Sequence, residues 1–103
     1  MVTHISLYKL NADPKTAEGE EATARLEALL REVSETDSSI KSCTIGHNSM
    51  YPPIPMDAAY DVAQVITFET KLAAIAYPAG AAHTKLAEES KDIVKSVSFI
   101  DFQ

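Results

Sequence analysis

The chain is poor in the residues on which several common chemistries depend. It has one cysteine, Cys43, in 103 residues. No intrachain disulfide can form, and a lone thiol fits a reducing compartment. Cys43 has no nucleophile motif around it and reads as a small core residue. Three glycines cannot supply a phosphate-cradling loop or a dinucleotide fingerprint. Nine Lys and Arg stand against 15 Asp and Glu, for a formal charge of −6. Nucleic acids and anionic membrane surfaces both select clustered cations, so neither is expected as a partner. No apolar run approaches the roughly 20 residues that span a bilayer. The N-terminus lacks the charged segment, apolar run and cleavage site of a signal peptide. The resulting expectation is a cytoplasmic protein. His4, His47 and His83 fall on three separate elements without the short spacings of a zinc site. No metal or other cofactor is expected.

What is present is an ordinary hydrophobic content, 46%, enough for one small core and one domain over residues 1–103. The first ten residues alternate as a strand. Thr3, Ile5 and Leu7 point one way, and Val2, His4, Ser6, Tyr8 and Leu10 the other. Both faces carry apolar groups, whereas a one-sided sheet has a polar face. Asn11 to Pro14 reads as a turn, with Asp13 as helix cap and Pro14 in the first turn. A helix follows from about Lys15 to Glu35, with Ala22, Leu26, Leu29, Leu30 and Val33 as its apolar stripe. Its many charges read as a solvated face.

Ile40 to Asn48 alternates as a second strand, with Gly46 as a bulge or bend. Ser49 to Ala59 holds three prolines and reads as a semi-rigid loop, in which Tyr51 is expected to make a dimer contact. Tyr60 to Glu69 is a third strand, with Tyr60, Val62, Gln64, Ile66 and Phe68 on one face. Thr70 opens a helical turn to Ala76, which Pro78 and Gly80 interrupt. A helix resumes from Ala81 to about Lys91 with His83, Leu86, Ala87 and Ser90 on one stripe. Ile93 to Phe102 is a fourth strand, with Val94, Ile100 and Phe102 assigned to one face and Ile93, Val97 and Phe99 to the other.

The order β-α-β-β-α-β is the ferredoxin-like arrangement of the α+β class. Its two helices can cover one face of a four-stranded antiparallel sheet. The other face needs a partner, and the expectation is a homodimer in which two such sheets meet face to face as a barrel.

Several segments resemble one family. They are Val2-Thr-His-Ile-Ser-Leu-Tyr-Lys-Leu10, Ile45-Gly-His-Asn-Ser49, Tyr60-Asp61, Phe68-Glu69, Tyr77-Pro-Ala79 and Val97-Ser-Phe-Ile-Asp-Phe102. Together they look like the stress-responsive dimeric α/β-barrel (Dabb) domain, over essentially the whole chain. The resemblance implies the same barrel-shaped homodimer. Some members resemble the cofactor-free olivetolic acid cyclase type, which closes a linear polyketide by aldol chemistry. In these a first-strand histidine and the second histidine of a His-Pro-x-His segment line the pocket, the latter as base. Others resemble boiling-stable stress proteins with no established catalytic site. His4 stands at the first-strand position. The His-Pro-x-His segment reads Tyr77-Pro78-Ala79-Gly80, so the family's base is absent, and His83 is the candidate to replace it.

Two readings follow. The first is a cofactor-independent acid–base enzyme, polyketide cyclase-like or lyase-like, or a binder, acting on a small hydrophobic carbonyl compound. His4 and His83 are its catalytic candidates, because imidazole titrates near working pH. Ser6, Tyr8, Gln64 and Tyr77 are its substrate-binding candidates, because hydroxyls and amides can steady an oxyanion. The alternative is a non-catalytic stress-response barrel whose histidines serve structure. His47 reads as an exposed residue near a strand end.

Overall fold

The computed structural model describes residues 1–50 and 59–103. Four strands form one antiparallel sheet: β1 (Val2–Leu10), β2 (Ile40–His47), β3 (Val62–Phe68) and β4 (Val94–Phe102). Their spatial order is β2-β3-β1-β4. Three helices lie on one face: α1 (Ala17–Thr36), α2 (Lys71–Ala76) and α3 (Ala81–Ser90), with a 3₁₀ turn over Tyr77–Ala79 between the last two. This is the ferredoxin-like βαββαβ arrangement expected from the sequence. No described helix is long and apolar enough to cross a membrane. The proline-rich segment that contains Tyr51 lies outside the described residues.

The core forms where α1 lies over β2, β3 and β1. Ala22, Leu26, Leu30 and Val33 recur at three- and four-residue steps on α1, and all four are buried. They meet Val2, Leu10, Val62, Ile66 and Phe68 from alternate positions of the strands. Burying a side chain such as Leu26 or Leu30 contributes about 1.5–3 kcal/mol. α3 packs on α1 and on the 3₁₀ turn rather than flat on β4.

The cap of α1 is Thr16, not Asp13. Thr16 Oγ1 accepts from Gly19 N at 3.1 Å. Asp13 instead builds the preceding turn, with its side chain accepting from Lys15 N and its carbonyl from Thr16 N and Oγ1. Pro14 occupies that turn, which delays the helix. The turn folds tightly over the helix, so that a Cβ on Gly19 would lie 1.9 Å from the Asp13 carbonyl oxygen. A glycine is required there by close approach, not by its own dihedral angles.

Two further expectations change in the sheet. Pairing of β2 with β3 runs unbroken through Gly46, and its irregularity falls between Ile40 and Ser42. A second irregularity falls where Lys9 faces Ser96 but Leu10 faces Val94. The skipped residue changes the alternation of β4. Val94 therefore joins the helix-side face with Val97 and Phe99, rather than the outer face with Ile100 and Phe102. Tyr60 precedes β3 instead of opening it, and its hydroxyl bonds Ser98 Oγ at 2.8 Å. Neighbouring Asp61 is buried and accepts from Leu10 N at 2.8 Å, while its own amide donates to the Tyr8 carbonyl. It pins the end of β1.

Among the described residues, no helix covers the outer face of the sheet. Ile5, Leu7 and Val65 are half-buried there, and Ile100 and Phe102 are exposed.

Candidate active site

The 3₁₀ turn and α3 stand off from the half of the sheet made by β1 and β4. A cavity of about 400 Å³ opens between them, within the size range of small-molecule sites. Alternation along β1 puts His4, Ser6 and Tyr8 on its floor. The one-face stripe of α3, His83, Leu86, Ala87 and Ser90, makes one wall. Tyr77 and Pro78 come from the turn, and Val94, Val97, Phe99 and Asp101 from β4. Five of the six predicted site residues are thus brought together.

Gln64 is the exception. It is fully buried beneath α1, where Nε2 donates to the Leu30 carbonyl at 3.3 Å and approaches Cys43 Sγ at 3.9 Å. Opposite Ser6 on the neighbouring strand, it shares that residue's face but lies on the α1 side of the sheet, outside the cavity. His47 is also elsewhere, bonded to Glu27 at 2.8 Å. Cys43 packs, half-buried, against the core.

His4 is held by a residue that the sequence reading did not single out. Asp101 lies directly opposite it on β4, and its Oδ1 is 2.6 Å from His4 Nδ1. The His4 side chain is 12% exposed and that of Asp101 43%. A carboxylate at that distance selects the tautomer with the proton on Nδ1 and leaves the Nε2 lone pair available. Asp101 was visible as a polar break in an apolar strand. Its pairing with His4 depended on the register between the first and last strands, which periodicity within one strand does not contain.

Aromatic rings organise the rest. Tyr77 is buried and packs on Phe68 at 5.3 Å between centroids. It meets His4 edge-on at 5.6 Å and His83 at 5.0 Å, so it bridges the two histidines. Phe99 lies 5.8 Å from His4 and is 68% exposed at the rim. Burial raises the Tyr77 phenol well above its ordinary pKa, and the neighbouring acidic groups Tyr8, Asp37 and Cys43 raise it further. Burial also raises Tyr8, while the nearby Ser6 hydroxyl pulls the other way. Both phenols stay protonated and act as donors. Burial lowers His83, the proximity of His4 lowers it further, and a hydrogen bond to the Pro78 carbonyl opposes both. His83 is therefore neutral at neutral pH. Ser6 Oγ is buried and makes no well-formed hydrogen bond among the described residues. No cluster of three His, Cys, Asp or Glu side chains with metal-binding geometry occurs among those residues.

These groups can move a proton and hold an oxyanion inside an apolar enclosure. No curated protein matches the sequence. Solved structures match its fold over nearly its whole length. A dimeric protein of ferredoxin-like fold from Bacteroides fragilis is 20% identical, with a TM-score of 0.79 over 99% of this chain and 94% of that one. The hydroxynitrile lyase of Passiflora edulis is 11% identical, with a TM-score of 0.75 over 98% and 90%. A cofactor-independent oxygenase from Streptomyces nogalater, solved as a mutant, is 15% identical, with a TM-score of 0.62 over 99% and 90%. The family model for the stress responsive A/B barrel domain matches residues 2–103, and the chain, whose βαββαβ fold agrees, belongs to that Dabb family.

Proposed function

We propose that this protein is a cofactor-independent acid–base enzyme acting on a small hydrophobic carbonyl compound, of the polyketide cyclase or lyase kind. The observation that carries the reading is the His4–Asp101 pair, 2.6 Å apart, on the wall of a largely apolar cavity. The His4 Nε2 lone pair takes a proton from the carbon next to the carbonyl. The C–H electron pair moves into the carbonyl, whose oxygen becomes an enolate. Tyr77, whose ring meets the His4 ring edge-on, supplies the hydroxyl that donates to that oxygen. The enolate carbon then attacks a second carbonyl, is reprotonated, or expels a leaving group, and His4 returns its proton. His83, on the other side of Tyr77, serves as the second base that Gly80 cannot be. The enzymatic names among the structural relatives, a hydroxynitrile lyase and a cofactor-independent oxygenase, support an active rather than inert pocket.

Cyclisation, isomerisation and elimination share the first step, so the test addresses that step. Aliphatic ketones and β-diketones are incubated in heavy water with the protein, and deuterium uptake beside the carbonyl is followed by NMR. The expected result is uptake faster than buffer, abolished by His4→Ala and reduced by Asp101→Asn. Uptake at the buffer rate, or uptake unaffected by His4→Ala, refutes the reading. It would favour the second one, a non-catalytic stress-response barrel, for which the Tyr77-Pro78-Ala79-Gly80 sequence in place of the histidine-bearing segment speaks.

The protein is further proposed to act as a homodimer joined through the outer sheet face. Ile5, Leu7, Val65, Ile100 and Phe102 form an apolar surface there of the kind that marks an interface, and the Bacteroides fragilis relative is described as dimeric. Light scattering showing a monomer at micromolar concentration would contradict it.

A further inference from the structure

The cavity is electrically polarised along its length. Of the described residues that line it, two carry a full charge at neutral pH, Asp101 and Lys91. They sit at opposite ends. Asp101 faces His4 across the β1–β4 ladder, Val97 faces Tyr8, and Val94 faces Leu10, with Lys91 just before Val94 in the chain. His4 and Tyr8 are four residues apart on one strand face, which separates their Cα atoms by roughly 13 Å. Between the two ends the walls are mostly apolar, including Leu86, Ala87 and Val97.

Hydrogen-bond donors gather at the Lys91 end. Tyr8 is a buried phenol, and beside it the buried Ser6 hydroxyl has no well-formed bond to a described residue. Ser6 is 3% exposed. A buried hydroxyl without a partner destabilises a fold, and the Ser6 hydroxyl, on a strand face beside a cavity and next to the Tyr8 phenol, points to a partner that arrives with a ligand. The Lys91 ammonium is held by Glu88 at 3.0 Å, but both side chains are about 70% exposed, at 72% and 68%. An exposed pair of this kind is weak and leaves the ammonium free to turn inward. At the other end the Asp101 carboxylate repels an anion.

We propose that the site takes an elongated oxo acid, a chain with its reactive carbonyl beside His4 and a terminal carboxylate bound by the Tyr8 hydroxyl and the Lys91 ammonium, with Ser6 supporting Tyr8. This rests on the carbonyl-compound reading above and adds the direction and head group of the substrate. The acid binds one way round because the two ends of the cavity carry opposite charge. Chain length is set by the separation of the two ends, so affinity rises along a series of linear oxo acids and then falls once the chain exceeds the cavity.

The test is equilibrium binding, by calorimetry at low salt, of a linear medium-chain oxo acid and of its methyl ester. The acid is expected to bind about tenfold more tightly than the ester, the effect of roughly one charge-assisted hydrogen bond, and the gap should shrink as salt is raised. Tyr8→Phe and, separately, Lys91→Met should each narrow the gap by weakening the acid more than the ester. Lys91→Met changes an exposed side chain and so keeps the test valid if Tyr8→Phe fails to fold. Equal binding of acid and ester, a gap that survives both variants, or no binding of either compound overturns the assignment. Because binding is read without turnover, the two readings fail separately. Loss of the acid preference with His4-dependent deuterium uptake intact removes only the head-group assignment. An acid preference without deuterium uptake removes only the catalytic reading.

Discussion

Deleting the Ser6 hydroxyl should make the ligand-free protein more stable. Ser6→Ala removes one oxygen and keeps the Cβ, so packing at the strand face is almost unchanged. The oxygen lost is buried and without a hydrogen-bond partner among the described residues, a state that costs about 1–3 kcal/mol relative to hydration in the unfolded chain. Two effects oppose the gain. Alanine is a poorer strand residue on a scale spanning about 1 kcal/mol, and the missing oxygen leaves a small void. The net expectation is a stabilisation of about 1 kcal/mol, or a rise in Tm of about 4–8 °C for a domain of this size. Urea unfolding of wild type and variant, at one protomer concentration because dimerisation couples to stability, measures it directly. A loss of about 1 kcal/mol or more would show that Ser6 and Tyr8 are already satisfied by each other in the folded state. That outcome would remove the energetic argument for a ligand at that end of the cavity. A gain in stability together with weaker binding of the oxo acid would mark Ser6 as a residue kept for use rather than for folding.

Other perturbations separate the remaining parts of the structure. Gly19→Ala gains up to about 1 kcal/mol of helix propensity but places a Cβ 1.9 Å from the Asp13 carbonyl; the backbone clash should win, with a net loss of about 1–3 kcal/mol in chemical denaturation. His83 has a folded-state pKa below its unfolded value, so the unfolded chain takes up its proton first and stability falls as pH drops through roughly 6.5 and levels off below the folded pKa. His83→Gln should flatten that part of the stability–pH curve, and an unchanged curve would contradict the burial that lowers the group. Phe102→Asp, on the outer sheet face, should shift the protein to monomer in sedimentation at micromolar concentration while leaving the cavity residues in place. A variant that stays fully dimeric would move the interface elsewhere.

The architecture was legible because it rests on periodicity. Leu26, Leu30 and Val33 declared the buried face of α1, and the two-sided apolar character of β1 is the sequence signal behind the proposed partner for the outer sheet face. The features that escaped are those set by contacts distant in sequence. The helix cap moved from Asp13 to Thr16 because Pro14 holds a turn there, and the packing of that turn on Gly19 has no local signature. The face of Val94 depends on a skipped residue in the β1–β4 ladder, which strict alternation cannot foresee. The candidate site was half legible for the same reason. His4, Ser6 and Tyr8 share a strand face, and His83 lies on a helix stripe with Leu86. Asp101 needed the inter-strand register, and Gln64 was misplaced because one sheet face serves two neighbourhoods, one under α1 and one under α3.

That division has an evolutionary consequence. The interlocking core lies under α1 over β2, β3 and half of β1, whereas the cavity is bounded by the edge strand β4 and by a helix that rests on other helices. Residues such as Val97 and Phe99 are at least half exposed, and changing them disturbs few tightly packed neighbours. Selection, in nature or in the laboratory, can therefore resculpt the binding wall in small steps without drawing on the stability reserve. A scaffold partitioned in this way can accommodate different cavity shapes, and libraries confined to β4 and the inner stripe of α3 are the place to begin changing what the cavity accepts.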